Sequence, residues 1–142
     1  MSDKSELLGE IIARHRHREG PLLPILNDVQ AKLGCIDAES EAFIARGLNR
    51  SRADVHGVVS FYHDYRSEAD PRPVVKVCRA EACKARGVEA IIAEAERAAG
   101  NRVRIEPVYC LGLCSAGPAA RTGDELHIRL DADSVARLVE RA

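Results

Sequence analysis

Apolar residues recur at helical spacing in four successive segments of the first half of the chain. The spacing predicts helices over residues 5–19, from Pro21 to Gly34, over about residues 39–48 and from Ser51 onward. The apolar faces of the first, second and fourth helices are Leu7, Leu8, Ile11 and Ile12; Leu22, Ile25, Leu26, Val29 and Leu33; and Val55, Val58, Tyr62 and Tyr65. Short amphipathic helices in a row predict a small bundle, because each must bury its apolar face.

Short signals mark where these helices begin and end. Gly20 is a stop for the first helix, and Pro21 suits the first turn of the second because that position needs no backbone N–H. Gly34 can adopt the left-handed conformation that closes a helix. Ser51, followed by Asp54, is typical of an N-terminal helix cap, so the fourth helix is expected to begin there.

The helical pattern breaks at residues 67–73, whose sequence is SEADPRP. Each proline removes a backbone N–H and disfavours helix in the residue before it. We therefore place a domain boundary in this segment. The helical bundle is expected to occupy residues 1–69 and a second domain residues 70–142.

Strand and helix patterns alternate in the second half. In order they are a buried strand, VVKVC at 74–78; a helix with Val88, Ile91, Ile92, Ala95 and Ala99, closed by Gly100; a strand at 103–109; a hairpin of PAAR and ELHIRL around Thr122-Gly123-Asp124; and a helix capped by Asp131 or Asp133 and carrying Val135, Leu138 and Val139. This order predicts a thioredoxin-like α/β domain, so the fold class is α+β, with the helical bundle first. A right-handed crossover places the first two strands side by side and parallel.

Composition and charge indicate an ordinary globular protein, but they do not indicate what it binds or which reaction it serves. The chain has 142 residues, of which 46% are hydrophobic and 30% charged, as in ordinary globular domains. Lys and Arg number 21 against 22 Asp and Glu, so no nucleic-acid partner is expected. The one basic cluster, residues 13–19, is interpreted as the solvated end of a helix, with phosphate or membrane contact as the alternative.

No stretch of the sequence is typical of a targeting signal or a membrane span. Residues 1–10 are polar and acidic, and the apolar runs are only a few residues long, whereas a membrane-spanning helix needs about 20. We expect a cytoplasmic protein with no membrane partner. Thiols are kept reduced in that compartment, so paired cysteines there more often bind a metal than form a disulfide.

Four of the five cysteines form two pairs at the ends of the two parallel strands. Cys78 and Cys83 follow the first strand, and Cys110 and Cys114 follow the second. Because the carboxyl ends of parallel strands meet at one edge of a sheet, the two loops are expected to meet around one site. The pairs are therefore candidate ligands of a single metal centre.

The spacing of the cysteines leaves three chemistries open. A [2Fe–2S] cluster takes two thiolates per iron, a structural zinc ion takes four thiolates, and the remaining interpretation is buried or redox-active thiols. Arg79, Lys84 and Arg86 would offset the negative charge of a cluster, and Cys83 is expected at the start of the following helix. Gly112 and Gly117 would let backbone N–H groups approach the sulfurs.

Three further residues outside the pairs carry reactive or titratable groups. Cys35 follows Gly34 in a turn and is interpreted as a small apolar filler. His56 and His63 are seven residues apart and are expected on one helical face. They are interpreted as surface or interface histidines, with a metal or partner contact as the alternative. The sequence shows no phosphate-binding glycine loop and no nucleophile paired with a base, so we expect no substrate site in this chain.

The C-x4-C and C-x3-C pairs, after a helical segment that ends in HGVVSFYHDYR, resemble the thioredoxin-like [2Fe–2S] ferredoxin family. The family includes the 24-kDa subunit of NADH dehydrogenase and matching subunits of NAD-linked formate dehydrogenases and hydrogenases. The resemblance runs from about Leu22 to Val139. It implies one [2Fe–2S] cluster per chain, with Cys78, Cys83, Cys110 and Cys114 as ligands.

Within the family, the stretches LLPIL, SRADVHGVVSFYHDYR and CRAEAC resemble most the gamma subunit of NAD-dependent, molybdenum-containing formate dehydrogenase. The respiratory subunits usually have other residues at His56, His63 and Asp64. They also commonly carry an insertion where this chain passes directly from Gly100 to Val103. The shorter loop leaves the four cluster ligands intact.

The resemblance implies an electron-transfer subunit and not a separate enzyme. Its partners would be a subunit that holds FMN, NAD and a [4Fe–4S] cluster, docked through the helical bundle, and a molybdenum subunit that oxidises formate. The alternatives are a 24-kDa-type subunit of respiratory NADH:quinone oxidoreductase or of an NAD-reducing hydrogenase, a free-standing ferredoxin and, from another class, a zinc-stapled interaction module.

Overall fold

The computed structural model describes residues 3–142. These residues form two compact units, one ending at Pro71 and the other beginning at Arg72. Each unit has a hydrophobic core of its own, built from different elements of the chain.

The first unit is a bundle of four helices, as the apolar spacing predicts. They are α1 (Asp3–His15), α2 (Leu22–Leu33), α3 (Ala38–Gly47) and α4 (Arg52–Phe61). The first helix ends at His15, before the predicted stop at Gly20, and a turn follows in which the N–H of Arg18 donates to the carbonyl of His15. Residues 16–19 are charged or histidine and exposed, so no apolar contact holds them in the helix.

The predicted apolar faces meet in the core of the first unit. Its fully buried large side chains are Leu8, Ile11, Ile25, Leu26, Val29, Ile36, Ile44 and Val55. Ile36 comes from the α2–α3 connection, which the helical pattern does not reach. Helices α1 and α3 pack closely at Gly47, where a side chain has no room. A β-carbon placed on this residue would lie 2.8 Å from Cδ1 of Ile12.

The helix ends in this unit are closed by polar contacts. Gly34 has φ 73° and its N–H donates to Gln30, as predicted for a left-handed cap. Ser51 and Asp54 form a reciprocal capping box at the start of α4, which confirms that prediction. The cap of α3 was not predicted; there the carboxylate of Asp37 accepts a hydrogen bond from the N–H of Ser40.

The fourth helix is shorter than its predicted apolar face. It ends at Phe61, and Tyr62 is extended, so placing Tyr62 and Tyr65 on one helical face was wrong. The same early end removes His63 from the face that carries His56. The run Phe-Tyr-His-Asp-Tyr has weak helix propensity. A turn, in which the N–H of Tyr65 donates to the carbonyl of Tyr62, packs Tyr65 against the core instead.

The second unit is a four-stranded sheet with helices. In chain order it contains β1 (Val74–Cys78), α5 (Glu81–Ala85), α6 (Val88–Ala99), β2 (Arg104–Val108), a 3₁₀ turn (Cys114–Ala116), β3 (Ala120–Thr122), β4 (Glu125–His127) and α7 (Ala132–Arg141). The strand order is β2-β1-β3-β4. Strands β1 and β2 are parallel, and β3 runs antiparallel to β1 and β4. This arrangement confirms the thioredoxin-like prediction.

The core of the second unit lies between the central strand and two helices. Val75 and Val77 of β1, Val88 of α6 and Val135 of α7 are almost completely buried, and all belong to one cluster. Of the two predicted caps for α7, the structure uses Asp131, whose carboxylate accepts a hydrogen bond from the N–H of Ser134. The hairpin is confirmed, although its second strand ends at His127.

One element of the second unit differs from its prediction near the first cysteine pair. Cys83 does not lie at the start of the long helix, as expected, but within the separate short helix α5. Gly87 divides α5 from α6, because its φ of 85° lies in the left-handed region that interrupts a helix. The dipole of α6 therefore does not begin at Cys83.

Within residues 3–142, no helix has both the length and the apolar character that crossing a bilayer requires.

Candidate functional site

The ends of the two parallel strands position the four paired cysteines. Cys78 is the last residue of β1 and stands level with Val108, the last residue of β2. Cys110 follows two residues beyond β2, and Cys114 begins the 3₁₀ turn. Because β1 and β2 end at the same level of the sheet, both cysteine loops leave it at one edge, as the parallel pairing predicts.

The side chains of the four cysteines are close enough to influence one another. The sulfur of Cys110 lies 3.7 Å from the sulfur of Cys114. The side chains of Cys78 and Cys83 shift the pKa of each other, and the charges of Cys78 and Cys114 act on Cys83. All are free thiols. The structure thus brings the two predicted pairs to one site.

The backbone around Cys78 lowers the pKa of its thiol. Burial by itself would raise the pKa of this thiol. The N–H groups of Ala80, Cys110 and Leu111 and the side chain of Cys83 nevertheless stabilise the thiolate, so the net pKa of Cys78 is lowered. A sulfur supplied with N–H donors from both loops is prepared to carry negative charge.

The pKa values of Cys83 and Cys114 are raised, through burial for Cys83 and through a neighbouring sulfur for Cys114. Burial is the largest cause for Cys83, followed by its hydrogen bond to Cys78, while the N–H of Ala119 acts in the opposite direction. For Cys114 the main cause of the raised pKa is its hydrogen bond to Cys110. Four thiolates in such a group need a cation to offset their mutual repulsion.

Two glycines allow the second loop to approach the sulfurs. The N–H of Gly112, a residue with φ 75°, donates to the sulfur of Cys110 at 3.4 Å. A β-carbon placed on Gly117 would lie 3.0 Å from the sulfur of Cys83, so that sulfur would have to shift to make room for a side chain. Both positions therefore fit the role that the sequence predicts for them, which is close approach of the backbone.

The two pairs differ in their access to solvent. Cys78 and Cys83 are each 2% exposed, whereas Cys110 and Cys114 are open to solvent. Within residues 3–142, no three or more Cys, His, Asp or Glu side chains surround a point that suits a single metal ion. The thiols are instead arranged as two neighbouring pairs, one inside the unit and one at its surface.

The remaining candidate residues lie in the first unit. Cys35 is half-buried, which is compatible with the small filler predicted for it. Nδ1 of His56 lies 3.1 Å from both carboxylate oxygens of Glu41, a buried residue that no sequence pattern singled out. The sequence around Glu41 contains no pattern that would predict its burial or its contact with His56.

A family model identifies the class of protein to which this geometry belongs. The model of the thioredoxin-like [2Fe–2S] ferredoxins matches residues 8–142. The chain belongs to that family. Its cofactor is a [2Fe–2S] cluster and its role is electron transfer within an oxidoreductase, so the zinc interpretation that the spacing left open is not supported.

Curated relatives agree with this assignment. The chain is 29% identical over 136 residues to a subunit of the NADH-quinone oxidoreductase of Pseudomonas aeruginosa, covering 87% of this chain and 82% of the relative. It is 24% identical over 119 residues to the NADP-reducing hydrogenase subunit HndA of Solidesulfovibrio fructosivorans, covering 78% and 70%.

The structural comparison supports the fold. A crystal structure of an NAD⁺-reducing [NiFe]-hydrogenase in the H₂-reduced state matches with a TM-score of 0.69 and 22% sequence identity. The match covers 84% of this chain and only 22% of that hydrogenase chain. The likeness is thus one of fold, confined to part of a longer protein.

The donor set of the site fits a [2Fe–2S] cluster. Each iron of such a cluster takes two thiolates, and the structure offers two neighbouring pairs of free thiols. The backbone N–H groups that lower the pKa of Cys78 can also stabilise the negative charge of a bound cluster. Gly117 keeps the space beside Cys83 free of a side chain.

Proposed function

We propose that this chain is the [2Fe–2S] gamma subunit of a cytoplasmic, NAD-dependent, molybdenum-containing formate dehydrogenase, with Cys78, Cys83, Cys110 and Cys114 as the cluster ligands. The observation that carries the ligand assignment is the meeting of two cysteine pairs at the ends of two parallel strands. The formate branch rests on the sequence resemblance of the stretches LLPIL, SRADVHGVVSFYHDYR and CRAEAC.

The chemistry supplied by a bound [2Fe–2S] cluster is the storage and transfer of one electron at a time. The chain's own residues hold and shape that site. Cys78 and Cys83 supply buried sulfurs, and the N–H groups of Ala80 and Leu111 stabilise the thiolate of Cys78. The exposed Cys110 places the second pair at the surface, where a redox partner can approach.

The helical unit is proposed to dock to the subunit that holds FMN, NAD and a [4Fe–4S] cluster. Support comes from two aromatic rings at the end of α4, within the stretch that carries the family resemblance. Phe61 is 72% exposed and Tyr62 is 43% exposed, and their ring centroids are 5.1 Å apart. Large aromatic side chains of this kind are enriched at the centres of protein interfaces.

Anaerobic purification of the chain tests the ligand assignment. The expected result is a brown protein with two irons and two sulfides per chain, whose colour is bleached by dithionite. The variant Cys110→Ala should lose the colour, while Cys35→Ala should keep it. A colourless wild-type protein with one zinc ion, or a fully loaded Cys110→Ala variant, contradicts the assignment.

Co-purification tests the proposed branch. A tagged chain produced in its own cells should recover a flavin subunit and a molybdenum subunit, with formate-dependent reduction of NAD⁺. Recovery of membrane quinone-reductase subunits would instead support the respiratory branch, which is the second candidate because a respiratory subunit is among the relatives. Recovery of hydrogenase subunits would support the hydrogenase branch, to which another relative belongs.

A matched pair of variants tests the docking surface. Phe61→Ser should weaken recovery of the flavin subunit, because it removes an exposed aromatic anchor. Leu126→Ser, which changes a 52% exposed residue of the second unit, is the control and should leave recovery unchanged. Equal recovery with both variants would remove Phe61 from the proposed interface.

A further inference from the structure

The basic residues around the first cysteine loop are not equivalent. Arg79 makes two hydrogen bonds to the carboxylate of Glu89, at 2.6 and 3.3 Å. Lys84 lies 3.6 Å from the carboxylate of Glu81. In each case a negative charge accompanies the positive one, so the field of the pair falls off quickly with distance.

Arg86 differs from both, because no carboxylate within residues 3–142 forms an ion pair with it. Its backbone N–H donates to the carbonyl of Cys83 at 3.1 Å, which fixes the residue at the end of α5. Its positive charge is therefore not offset by a neighbouring carboxylate.

The side chain of Arg86 lies beside the cysteine site. A β-carbon placed on Gly117 would be 3.0 Å from the sulfur of Cys83 and 3.4 Å from Cδ of Arg86. The sulfur and the arginine stem thus flank the same point on the second loop. The guanidinium begins one bond beyond Cδ, so its nearest nitrogen lies within about 8 Å of the Cys83 sulfur. Physiological salt screens exposed charges over about this distance.

We infer that Arg86 is a positioning residue that sets the reduction potential of the cluster by supplying uncompensated positive charge beside Cys83. The inference rests on the proposed ligand set. Two ferric ions, two sulfides and four thiolates together form a dianion, and reduction adds a third negative charge. A nearby cation stabilises the reduced form more than the oxidised form, and so raises the potential.

Replacing Arg86 should weaken reduction without preventing cluster binding. In Arg86→Gln, the equilibrium constant for one-electron reduction should fall about two- to tenfold, as expected for one charge in a solvent-exposed setting. Arg86→Lys should stay close to the wild type. Arg86→Glu should lower the potential about twice as far as Arg86→Gln, because the change in charge is doubled.

The matched controls remove a whole ion pair at once. The double variants Arg79→Gln/Glu89→Gln and Lys84→Gln/Glu81→Gln leave the net charge unchanged, and should therefore leave the potential close to that of the wild type. The measurement is an anaerobic redox titration of the loaded full-length chain, followed by visible absorption and electron paramagnetic resonance. In about 1 M salt the difference between Arg86→Gln and the wild type should shrink.

The results separate this inference from the ligand assignment. Iron and sulfide analysis of each variant shows first that the cluster is present, and Cys110→Ala tests the ligands independently. An unchanged potential in fully loaded Arg86→Gln overturns the inference, as does a shift of equal size in either double variant. If Arg86→Gln folds poorly, the comparison of Arg86→Lys with Arg86→Glu decides in its place.

Discussion

The sulfur of Cys110 lies 3.7 Å from the sulfur of Cys114, and both residues are exposed. A disulfide needs the sulfurs at about 2.05 Å, a distance that a small movement of the second loop would reach. In the protein without its cluster, a mild oxidant such as diamide should therefore join Cys110 to Cys114 first. Cys78 and Cys83, each 2% exposed, should react more slowly.

Peptide mapping by mass spectrometry, after alkylation of the remaining thiols, checks this prediction. The oxidised protein should take up no cluster until dithiothreitol restores the thiols. The variant Cys35→Ser should behave like the wild type, whereas Cys114→Ser should form no such bridge. Appearance of a bridge between Cys78 and Cys83 before the one in the second loop would contradict the proposed difference in access.

The contact between Gly117 and Cys83 predicts a defect in cluster loading. In Gly117→Ala the new methyl group would meet the Cys83 sulfur at 3.0 Å, while the φ of −70° at this position suits any residue. Overpacking of this kind costs about 1–3 kcal/mol. Iron content per chain should therefore fall, while far-UV circular dichroism shows the fold to be retained.

A matched glycine provides the control for that experiment. Gly57 lies in α4, and a β-carbon placed on it would meet no atom within 4 Å. Gly57→Ala should load the cluster normally and be slightly more stable, since alanine has the higher helix propensity. Normal loading of Gly117→Ala would show that the second loop can move away from Cys83 without cost.

The elements that carry the cysteines could be predicted because their signals are local. The run VVKVC predicts a buried strand, and the spacing of Val88, Ile92 and Ala99 predicts a helix. Neither prediction requires knowledge of the tertiary contacts. Two parallel strands joined by a helix then bring Cys78 and Cys110 to one edge of the sheet. The meeting of the two cysteine loops could therefore be predicted from the topology alone, without information on side-chain contacts.

The parts that could not be predicted depend on backbone geometry and on burial. The N–H groups of Ala80 and Leu111 stabilise a thiolate, but any residue except proline carries such a group. The break between α5 and α6 depends on the left-handed conformation of Gly87, which sequence spacing alone does not require. Likewise, Tyr65 reaches the core by a turn that replaces the last turn of a helix.

The cap of α3 predicts how the stability of the first unit depends on pH. Hydrogen bonds from the side chain of Lys4, at 2.8 and 3.0 Å, and from the N–H of Ser40 lower the pKa of Asp37 from 3.8 to about 2. The stabilisation is therefore fully present above about pH 4 and is lost as the pH falls toward 2.

The variant Asp37→Asn measures this contribution. Asparagine caps a helix about as well as aspartate, so this variant removes mainly the charge. Because Asp37 is partly exposed, solvent screens its interaction with Lys4, and the loss at neutral pH should be about 0.2–1 kcal/mol. The difference from the wild type in urea unfolding should shrink between about pH 4 and 2. The exposed Glu10→Gln serves as the control and should show no such change. A difference that is independent of pH would exclude the carboxylate charge as its cause.

The close approach of Gly47 to Ile12 predicts a coupled pair in the first unit. In Gly47→Ala the new methyl group would lie 2.8 Å from Cδ1 of Ile12, a nearly buried side chain at the contact between α1 and α3. The clash should cost about 1–3 kcal/mol, more than the helix propensity that alanine adds. Gly9→Ala, where no atom lies within 4 Å, is the control and should not destabilise the bundle.

A double-mutant cycle distinguishes a clash from a general intolerance of change at Gly47. Ile12→Val removes Cδ1 and should by itself cost about 0.5–1.5 kcal/mol, because it leaves a small cavity. In the double variant the new methyl group of alanine occupies part of that space, so the combined loss should be smaller than the sum of the single losses. Additive losses in urea unfolding would mean that the methyl group at residue 47 is rejected by the backbone and not by Ile12.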